Sequence, residues 1–288
     1  MLVKADCVPC YLKQSISTLQ VAGIPESGIN GILYSVLDMI PDLSLEGTPC
    51  ENSSVIVRRI YELINERDPY LKDKIKWNDY ALKQYDGLLK LVDGASDRLL
   101  MAFKISVAGN IIDMGITPDF DIDLSMSEIT GKSFDYSDYE EFTALLEKSK
   151  DILIIGDNSG EIVFDKILVS ELLKKGLEVT YAVKEEPILN DATMEDAVQV
   201  GMTELCRVIT NGNGFLGTSD KLCSQDFLTI LQKADIVVSK GQANFESLEG
   251  SPLAGGKTFF VLRAKCQLVA ECLGVELGSI VLKRNRSW

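Results

Sequence analysis

The sequence predicts an α/β protein in which a mostly parallel β-sheet, with helices on its faces, follows a helical N-terminal part. Up to about residue 115, apolar residues recur at three- and four-residue spacing, as in amphipathic helices. From about residue 150, short β-branched apolar runs alternate with helical stretches, which is the order of a parallel sheet. The chain has 288 residues, of which 46% are hydrophobic, and this is enough for a substantial core.

The first part of the chain is predicted to hold five helices. Prolines lie between them, where proline ends one helix or opens the next. A more acidic segment with turn residues, including Thr117-Pro118-Asp119, follows the last helix. We therefore predict a helical domain over 1–115, an acidic connection over 116–149 and an αβα domain over 150–288. The helices are expected at residues 7–19, 28–40, 52–66, 80–92 and 97–110.

The second part is predicted to contain six strands and four helices, although their order within the sheet does not follow from the pattern. The strands are expected at residues 152–155, 178–183, 207–210, 236–239, 258–262 and 279–282. The helices are expected at residues 161–175, 193–200, 220–233 and 266–273.

Composition excludes several classes of function. The chain has no histidine, which removes Ser-His-Asp triads, Cys-His dyads and HExxH zinc sites. A net charge of −14 argues against a nucleic-acid partner. We expect a cytoplasmic protein, because no apolar run is long enough to span a membrane and the first residues lack a secretory pattern. Seven cysteines then indicate reduced thiols. The oligomeric state is not predicted.

The stretch at 151–165, DILIIGDNSGEIVFD, is the main candidate for chemistry. An apolar strand leads directly into Asp157 and Asn158, and a helix follows. In a parallel sheet this turn faces the ligand crevice, where oxygen atoms meet a cation and helix amides favour an anion. A simpler interpretation is that Asp157 and Ser159 cap the helix. No lysine-bearing glycine loop of the Walker type is present.

Polar residues also follow the next four predicted strands, so side chains distant in sequence are expected to converge at one edge of the sheet. Carboxylates among them suit a cation, and basic side chains suit an anion. The clusters are Asp157 and Asn158; Lys184, Asn190 and Asp191; Asn211 and Gly212; Lys240, Gly241 and Asn244; Arg263 and Lys265. Of these, Lys184 and its acidic neighbours are interpreted as a solvated charged turn.

Three segments in order along the chain, GDNSGEIVFD, SKGQANFE and LRAKC, resemble the signatures of the metal-dependent damage-control phosphatases. The segments DCVPCYLKQ, DPYLKDKIKWND and AGNIIDMG resemble the CxxC-bearing branch of that family, found in archaea and some bacteria. The similarity extends over essentially the whole chain. One member of the family has also been proposed to be a protein-carboxylate methyltransferase.

The resemblance implies a Rossmann-like αβα sandwich joined to a helical bundle, and a divalent metal: Mg, Mn, Co or Ni. It implies that Asp157, Asn158 and Asp191 hold the metal. Lys240, Asn244, Arg263 and Lys265 would hold the phosphate or its leaving oxygen, and Asn110 and Asp113 would line the pocket. From residues alone, Asn110 is as well explained as a buried or capping residue and Asp113 as a turn residue.

The expected activity is metal-dependent hydrolysis of small phosphorylated metabolites such as sugar phosphates. The metal would polarise a phosphoryl oxygen while Lys240 and Lys265 stabilise charge; Asp157 is alternatively a nucleophile. Two other functions stay open, an S-adenosylmethionine-dependent carboxyl methyltransferase and a noncatalytic metal- or nucleotide-binding regulator. The methyltransferase would ordinarily need a glycine-rich first loop, which is not evident here.

Two further features have several interpretations. Cys7 and Cys10 form a CxxC motif that fits a redox pair, half of a zinc site, or buried thiols in a terminal helix. Glu161 and Asp165 lie four residues apart on the helix after the candidate metal loop, where acidic residues also suit the helix dipole. We expect Glu161 and Asp165 to contact the metal ligands at most, and not the metal itself.

Overall fold

A seven-stranded sheet with helices on both faces confirms the predicted α/β class. The computed structural model describes residues 1–111 and 133–286 and gives only the backbone of residues 110 and 111. The strands are β1 (Tyr136–Ser137), β2 (Asp151–Ile155), β3 (Glu178–Val183), β4 (Arg207–Thr210), β5 (Ile236–Lys240), β6 (Thr258–Arg263) and β7 (Ile280–Arg284). Their order is β1-β7-β6-β5-β2-β3-β4, and every pairing is parallel except that of β6 with β7.

Within the described residues, five α-helices precede the sheet, as the apolar periodicity predicts. They are α1 (Cys7–Val21), α2 (Glu26–Met39), α3 (Pro49–Ile64), α4 (Leu71–Asp93) and α5 (Arg98–Ile111). The start of α3 illustrates the local cause, because Thr48 and Glu51 form a capping box around Pro49 in the first turn. Helix α4 begins nine residues before the predicted position, since the charged stretch KDKIKWND hides its periodicity.

The other helices follow individual strands. They are α6 (Tyr139–Leu146), α7 (Glu161–Lys174), α8 (Met194–Gln199), α9 (Gln225–Lys233), α10 (Gln242–Leu248) and α11 (Gln267–Leu273). The apolar pattern does not predict β1, α6 or α10. All three are short, and β1 and α6 lie within the acidic segment 116–149, which is predicted to be a connection.

The two faces of the sheet carry separate cores, as alternation along β2 shows. Ile152 and Ile154 belong to one core, which includes residues of α4, α5, α6 and α7, whereas Leu153 and Ile155 belong to the other, which includes residues of α9, α10 and α11. Because both faces are covered, the strand is a continuous apolar run. Helices α1, α2 and α3 enclose a smaller core of their own.

No helix in the described parts of the chain combines the length and the apolar character that crossing a membrane requires.

Candidate active site

Two loops at the carboxyl edge of the sheet hold the predicted metal ligands together. Asp157 follows β2 and Asp191 follows β3. The Ala192 amide donates to the Asp157 carbonyl at 2.8 Å, and the Ser159 amide donates to the Asn190 carbonyl at 2.9 Å. Because β2 and β3 pair in parallel, their following loops lie at the same edge of the sheet. The two backbone hydrogen bonds between these loops explain how side chains 34 residues apart become neighbours.

The three predicted ligands, Asp157, Asn158 and Asp191, line one cavity of about 420 Å³. Lys265, from the loop after β6, lines it as well, and helices α1 and α3 contribute residues that include Tyr11 and Ser53. The cavity therefore lies between the sheet edge and the N-terminal helices. Its volume suits a small molecule.

Hydrogen bonds orient the Asn158 amide. Its Nδ2 donates to Asp157 Oδ2 at 2.9 Å and to Glu161 Oε2 at 3.3 Å. Since the nitrogen is directed at these two carboxylates, the amide oxygen is directed away from them. An amide oxygen that is not taken up by these contacts is a suitable ligand for a hard cation.

The site concentrates negative charge. Burial raises the pKa of Asp157 well above its usual range, and the nearby Glu161 and Asp191 raise it further, against smaller lowering by Lys265 and Lys240. Burial likewise raises the pKa of Asp191 to about 6, although Lys184 and Lys74 oppose the shift. Crowded carboxylates of this kind gain stability from an added cation.

The donor set fits a divalent metal. Two carboxylates and one amide oxygen are hard ligands, which Mg²⁺ and Mn²⁺ prefer, and waters commonly complete such sites. Within the described residues, no group of three or more Cys, Asp or Glu side chains is arranged to hold a metal ion. A site built on Asp157, Asn158 and Asp191 therefore depends on the amide and on ligands from outside the protein.

Lys240 lies in a buried ion cluster behind these ligands. Its side chain is 0% exposed, and its ammonium group donates to Glu161 Oε1 at 2.5 Å, Asp165 Oδ1 at 2.6 Å and the Ser106 carbonyl at 3.2 Å. Three protein acceptors account for the three N–H groups of a lysine. The predicted contact between Lys240 and phosphate stays a prediction, and in this structure Lys240 instead forms ion pairs with the two helix carboxylates.

Asn244 and Arg263 also make contacts within the protein. Asn244 donates to the carbonyls of Gly156 and Lys240 at 3.1 and 2.9 Å and accepts from the Thr218 hydroxyl at 2.8 Å. The Arg263 Nε donates to the Gly278 carbonyl at 3.1 Å. Of the four residues predicted to hold phosphate, Lys265 is the one that lines the cavity and is exposed. The substrate-binding roles of the others stay predictions.

The remaining predicted residues divide into two groups. Of Asn110 the structure gives only the backbone, within α5, and Asp113 lies outside the described residues. Cys7 and Cys10 are in the first turn of α1 and line the same cavity as Asp157. Burial raises the pKa of both thiols. The redox and zinc hypotheses for this pair stay open, and the described residues offer no three-ligand cluster for zinc.

One interpretation from the sequence is wrong. Lys184 does not lie in a solvated turn, because it is buried, donates to the Gly217 carbonyl at 2.6 Å and is paired with Asp191 Oδ2 at 3.7 Å. The partial alternation of charge in Lys184-Glu185-Glu186 suggested solvent exposure. The position of Lys184 at the end of a buried strand was the signal that pointed inward.

Sequence reasoning also missed two residues of α4 that support the site. Asn78 Oδ1 accepts from the Gly160 amide at 2.7 Å, at the start of α7. Asn78 and Lys74 both contact Asp196, which caps the helix after the Asp191 loop, at 2.8 and 3.0 Å. Both lie in the charged stretch KDKIKWND, before the predicted start of the helix, and the family resemblance was the one signal that included them. Helix α4 thus fixes both loops that carry the metal-ligand candidates.

Gly241 packs directly against the Asp157 carboxylate. It has φ 77° and ψ 165°, a region that is essentially restricted to glycine, and a Cβ there would lie 2.0 Å from Asp157 Oδ2. We expect Gly241→Ala to lower the free energy of unfolding by about 2 kcal/mol or more and to weaken metal binding. Denaturant unfolding and metal calorimetry measure the two effects.

Gly250→Ala is the matched control, because Gly250 also has a positive φ of 72° but nothing lies within 4 Å of its added Cβ. We expect it to destabilise the protein without changing metal affinity. Equal metal affinity in the two variants would contradict the close packing against Asp157.

Comparison with known proteins identifies the family and supports the fold. A family model described as the damage-control phosphatase ARMT1-like domain matches residues 3–281. An uncharacterized protein of Methanocaldococcus jannaschii is 32% identical, over 98% of this chain and 95% of its own. A damage-control phosphatase of Pyrococcus horikoshii is 30% identical, over 99% of both chains. The crystal structure of a DUF89 family protein from Pyrococcus horikoshii superimposes with a TM-score of 0.91 at 30% identity, covering 99% of this chain and 100% of that one.

Proposed function

The chain belongs to the ARMT1-like damage-control phosphatase family, and from this premise we propose that it hydrolyses small phosphate monoesters with a divalent metal held by Asp157, Asn158 and Asp191. The observation that supports the proposal is the convergence of these three oxygen-bearing side chains with Lys265 around one cavity. That arrangement offers a cation site and a countercharge for phosphate in the space of one small molecule.

The protein's own groups would have separate tasks. The exposed Lys265 ammonium supplies positive charge for the nonbridging phosphoryl oxygens. Asn158, oriented by Asp157 and Glu161, presents its amide oxygen, and the Asp157 and Asp191 carboxylates complete the protein's share of ligands. When bound, Mg, Mn, Co or Ni would supply Lewis-acid polarisation of the ester and orientation of a water.

Lys240 is proposed to act at a distance in this scheme. Its ammonium group holds Glu161, and Glu161 holds the Asn158 amide, so charge and orientation are transmitted through two contacts. Asp157 as a nucleophile that forms an aspartyl phosphate is the second possibility for the chemical step. Acid quenching during turnover with a phosphorus-labelled ester distinguishes the two, because only the nucleophilic route leaves label on the protein.

The partner is proposed to be a small phosphorylated metabolite in the cytoplasm, and not nucleic acid or a membrane. The net charge of −14 repels polyanions, and local positive charge at the cavity comes from Lys265 and the proposed metal.

Phosphate release by chelator-stripped protein tests the proposal. We expect release from an aryl phosphate and from sugar phosphates on addition of Mg, Mn, Co or Ni, with no more than background release in the chelator. The measurement is inorganic phosphate against time for each metal. Binding of S-adenosylmethionine with no release under any metal would favour the methyltransferase, and metal binding without any turnover would favour a regulator.

A further inference from the structure

The cavity has a second lining, contributed by helices α1, α10 and α11, that the phosphoryl chemistry does not use. We call it the helical wall and define it as Asp6, Tyr11, Glu246 and Glu271. Asp6 precedes α1, Tyr11 lies in α1, Glu246 in α10 and Glu271 in α11. In a phosphatase, the part of the cavity away from the metal receives the leaving group of the ester.

The helical wall carries carboxylates without matching side-chain cations. Asp6, Glu246 and Glu271 are acidic, and Lys265 is the one Lys or Arg side chain among the described residues of the lining. The ammonium group of Met1 also lines the cavity, where it donates to the Glu246 carbonyl at 2.7 Å and is paired with Glu249 Oε2 at 3.8 Å. Because Lys265 serves the phosphoryl group, a second anionic group on the substrate would meet three wall carboxylates, which outnumber the one ammonium group of Met1.

Tyr11 supplies an independent sign of a ligand. Its side chain is 4% exposed, and its hydroxyl makes no hydrogen bond of ordinary geometry within the described residues. Burial raises the pKa of Tyr11 to about 12, against a smaller lowering by Asn52, so the hydroxyl keeps its proton at neutral pH. A buried hydroxyl in a cavity wall is normally satisfied, and a bound ligand or water would satisfy this one.

Glu246 is placed to receive a hydrogen-bond donor. Its side chain is 8% exposed, and its Oε1 accepts from Gln242 Nε2 at 2.8 Å. A carboxylate has capacity for several donors, and hydroxyl or ammonium groups of a leaving group provide them. Glu271 Oε1 similarly accepts from Gln267 Nε2 at 3.1 Å and is exposed.

We propose that the helical wall selects phosphate monoesters whose leaving group donates hydrogen bonds and carries no second negative charge. Polyol and amino-polyol phosphates satisfy this requirement, whereas phosphorylated carboxylic acids and bisphosphates do not. The inference rests on the proposed phosphatase function. It states that the helical wall determines which phosphate monoesters are preferred substrates.

Three esters that differ at one carbon test it. Sorbitol 6-phosphate, its 1-amino-1-deoxy analogue and 6-phosphogluconate carry the same phosphate and a hydroxyl, an ammonium or a carboxylate at C1. We expect kcat/KM for the carboxylate to be lower by about tenfold or more than for the hydroxyl, and the ammonium to be at least as good as the hydroxyl. Raising the ionic strength should reduce the difference.

Variants identify the groups responsible. Glu246→Gln and Glu271→Gln each remove one negative charge. We expect each substitution to reduce the difference in kcat/KM between the carboxylate ester and the hydroxyl ester. Because Glu271 is exposed, Glu271→Gln should fold normally even if the substitution at the buried Glu246 impairs folding. Glu147→Gln, on the exposed end of α6, is the control and should leave the ratio unchanged. Tyr11→Phe should lower kcat/KM for sorbitol 6-phosphate severalfold.

Calorimetric binding of the same three esters is measured beside turnover, and the same order of affinity is expected. Equal binding and turnover of the carboxylate and hydroxyl esters would overturn the inference, as would a preference that survives both glutamine substitutions. Absence of phosphate release from every ester with every metal would overturn the proposed function instead, and the binding order would then still decide the charge selectivity.

Discussion

Asp157→Ala is expected to abolish metal-dependent phosphate release, lowering kcat/KM by about 10³-fold or more. The substitution removes one of two carboxylates offered to the metal, and it also removes the oxygen that accepts from Asn158 Nδ2 at 2.9 Å. Two of the three proposed ligands are therefore disturbed at once. Metal affinity, measured by calorimetry, should fall together with turnover.

The same substitution should not lower the free energy of unfolding of the metal-free protein. The pKa of Asp157 is raised by burial and by Glu161 and Asp191, so in the metal-free protein the ionised carboxylate is unfavourable. We therefore expect the metal-free Asp157→Ala variant to be no less stable than the parent, and added metal to stabilise the parent more than the variant.

Asp86→Ala is the control for this substitution, because Asp86 is exposed on α4. It should retain both activity and metal affinity. Activity kept by Asp157→Ala at saturating metal would contradict both the ligand and the nucleophile roles of Asp157. Lost activity with unchanged metal affinity would retain the nucleophile and discard the ligand.

Much of the fold was predictable because its signals are local. All six predicted strands are present within two residues at each end, since a strand covered on both faces is a continuous apolar run between polar turns. The strand order was not predictable, because it depends on which crossovers pack and not on any one segment. The antiparallel pairing of β7 with β6 likewise depends on how the chain connects the strands, and no single segment predicts it.

The candidate site was predictable in part for the same reason. That Asp157 and Asp191 follow strands places both at one edge of the sheet, and the two line the same cavity. The sequence does not predict whether a side chain at this edge is directed into the cavity or into the protein interior. Lys240 ends β5 and Asn244 follows it by four residues, yet both are buried by contacts with α7 and neighbouring loops. Those contacts are long-range and leave no local pattern.

Lys240→Met is expected to lower the free energy of unfolding by about 3–5 kcal/mol, because it leaves Glu161 and Asp165 buried without their cation. Glu161 is 1% exposed and Asp165 is 0% exposed, so water cannot replace the ammonium group. Tyr181 and Ser106 still donate to Asp165, at 2.7 and 2.5 Å, but both are neutral. Urea unfolding measures the change, and Lys83→Met, exposed on α4, should cost little.

Adding Asp165→Asn to Lys240→Met removes one of the stranded charges, and the double variant should recover part of the lost stability. This cycle separates the two roles considered for Lys240. A lysine that contacts phosphate would raise KM when substituted and would leave unfolding nearly unchanged, with no rescue by Asp165→Asn. A lysine that neutralises α7 gives the large stability loss and the partial rescue, and the structure, with three protein acceptors around Nζ, favours the second result.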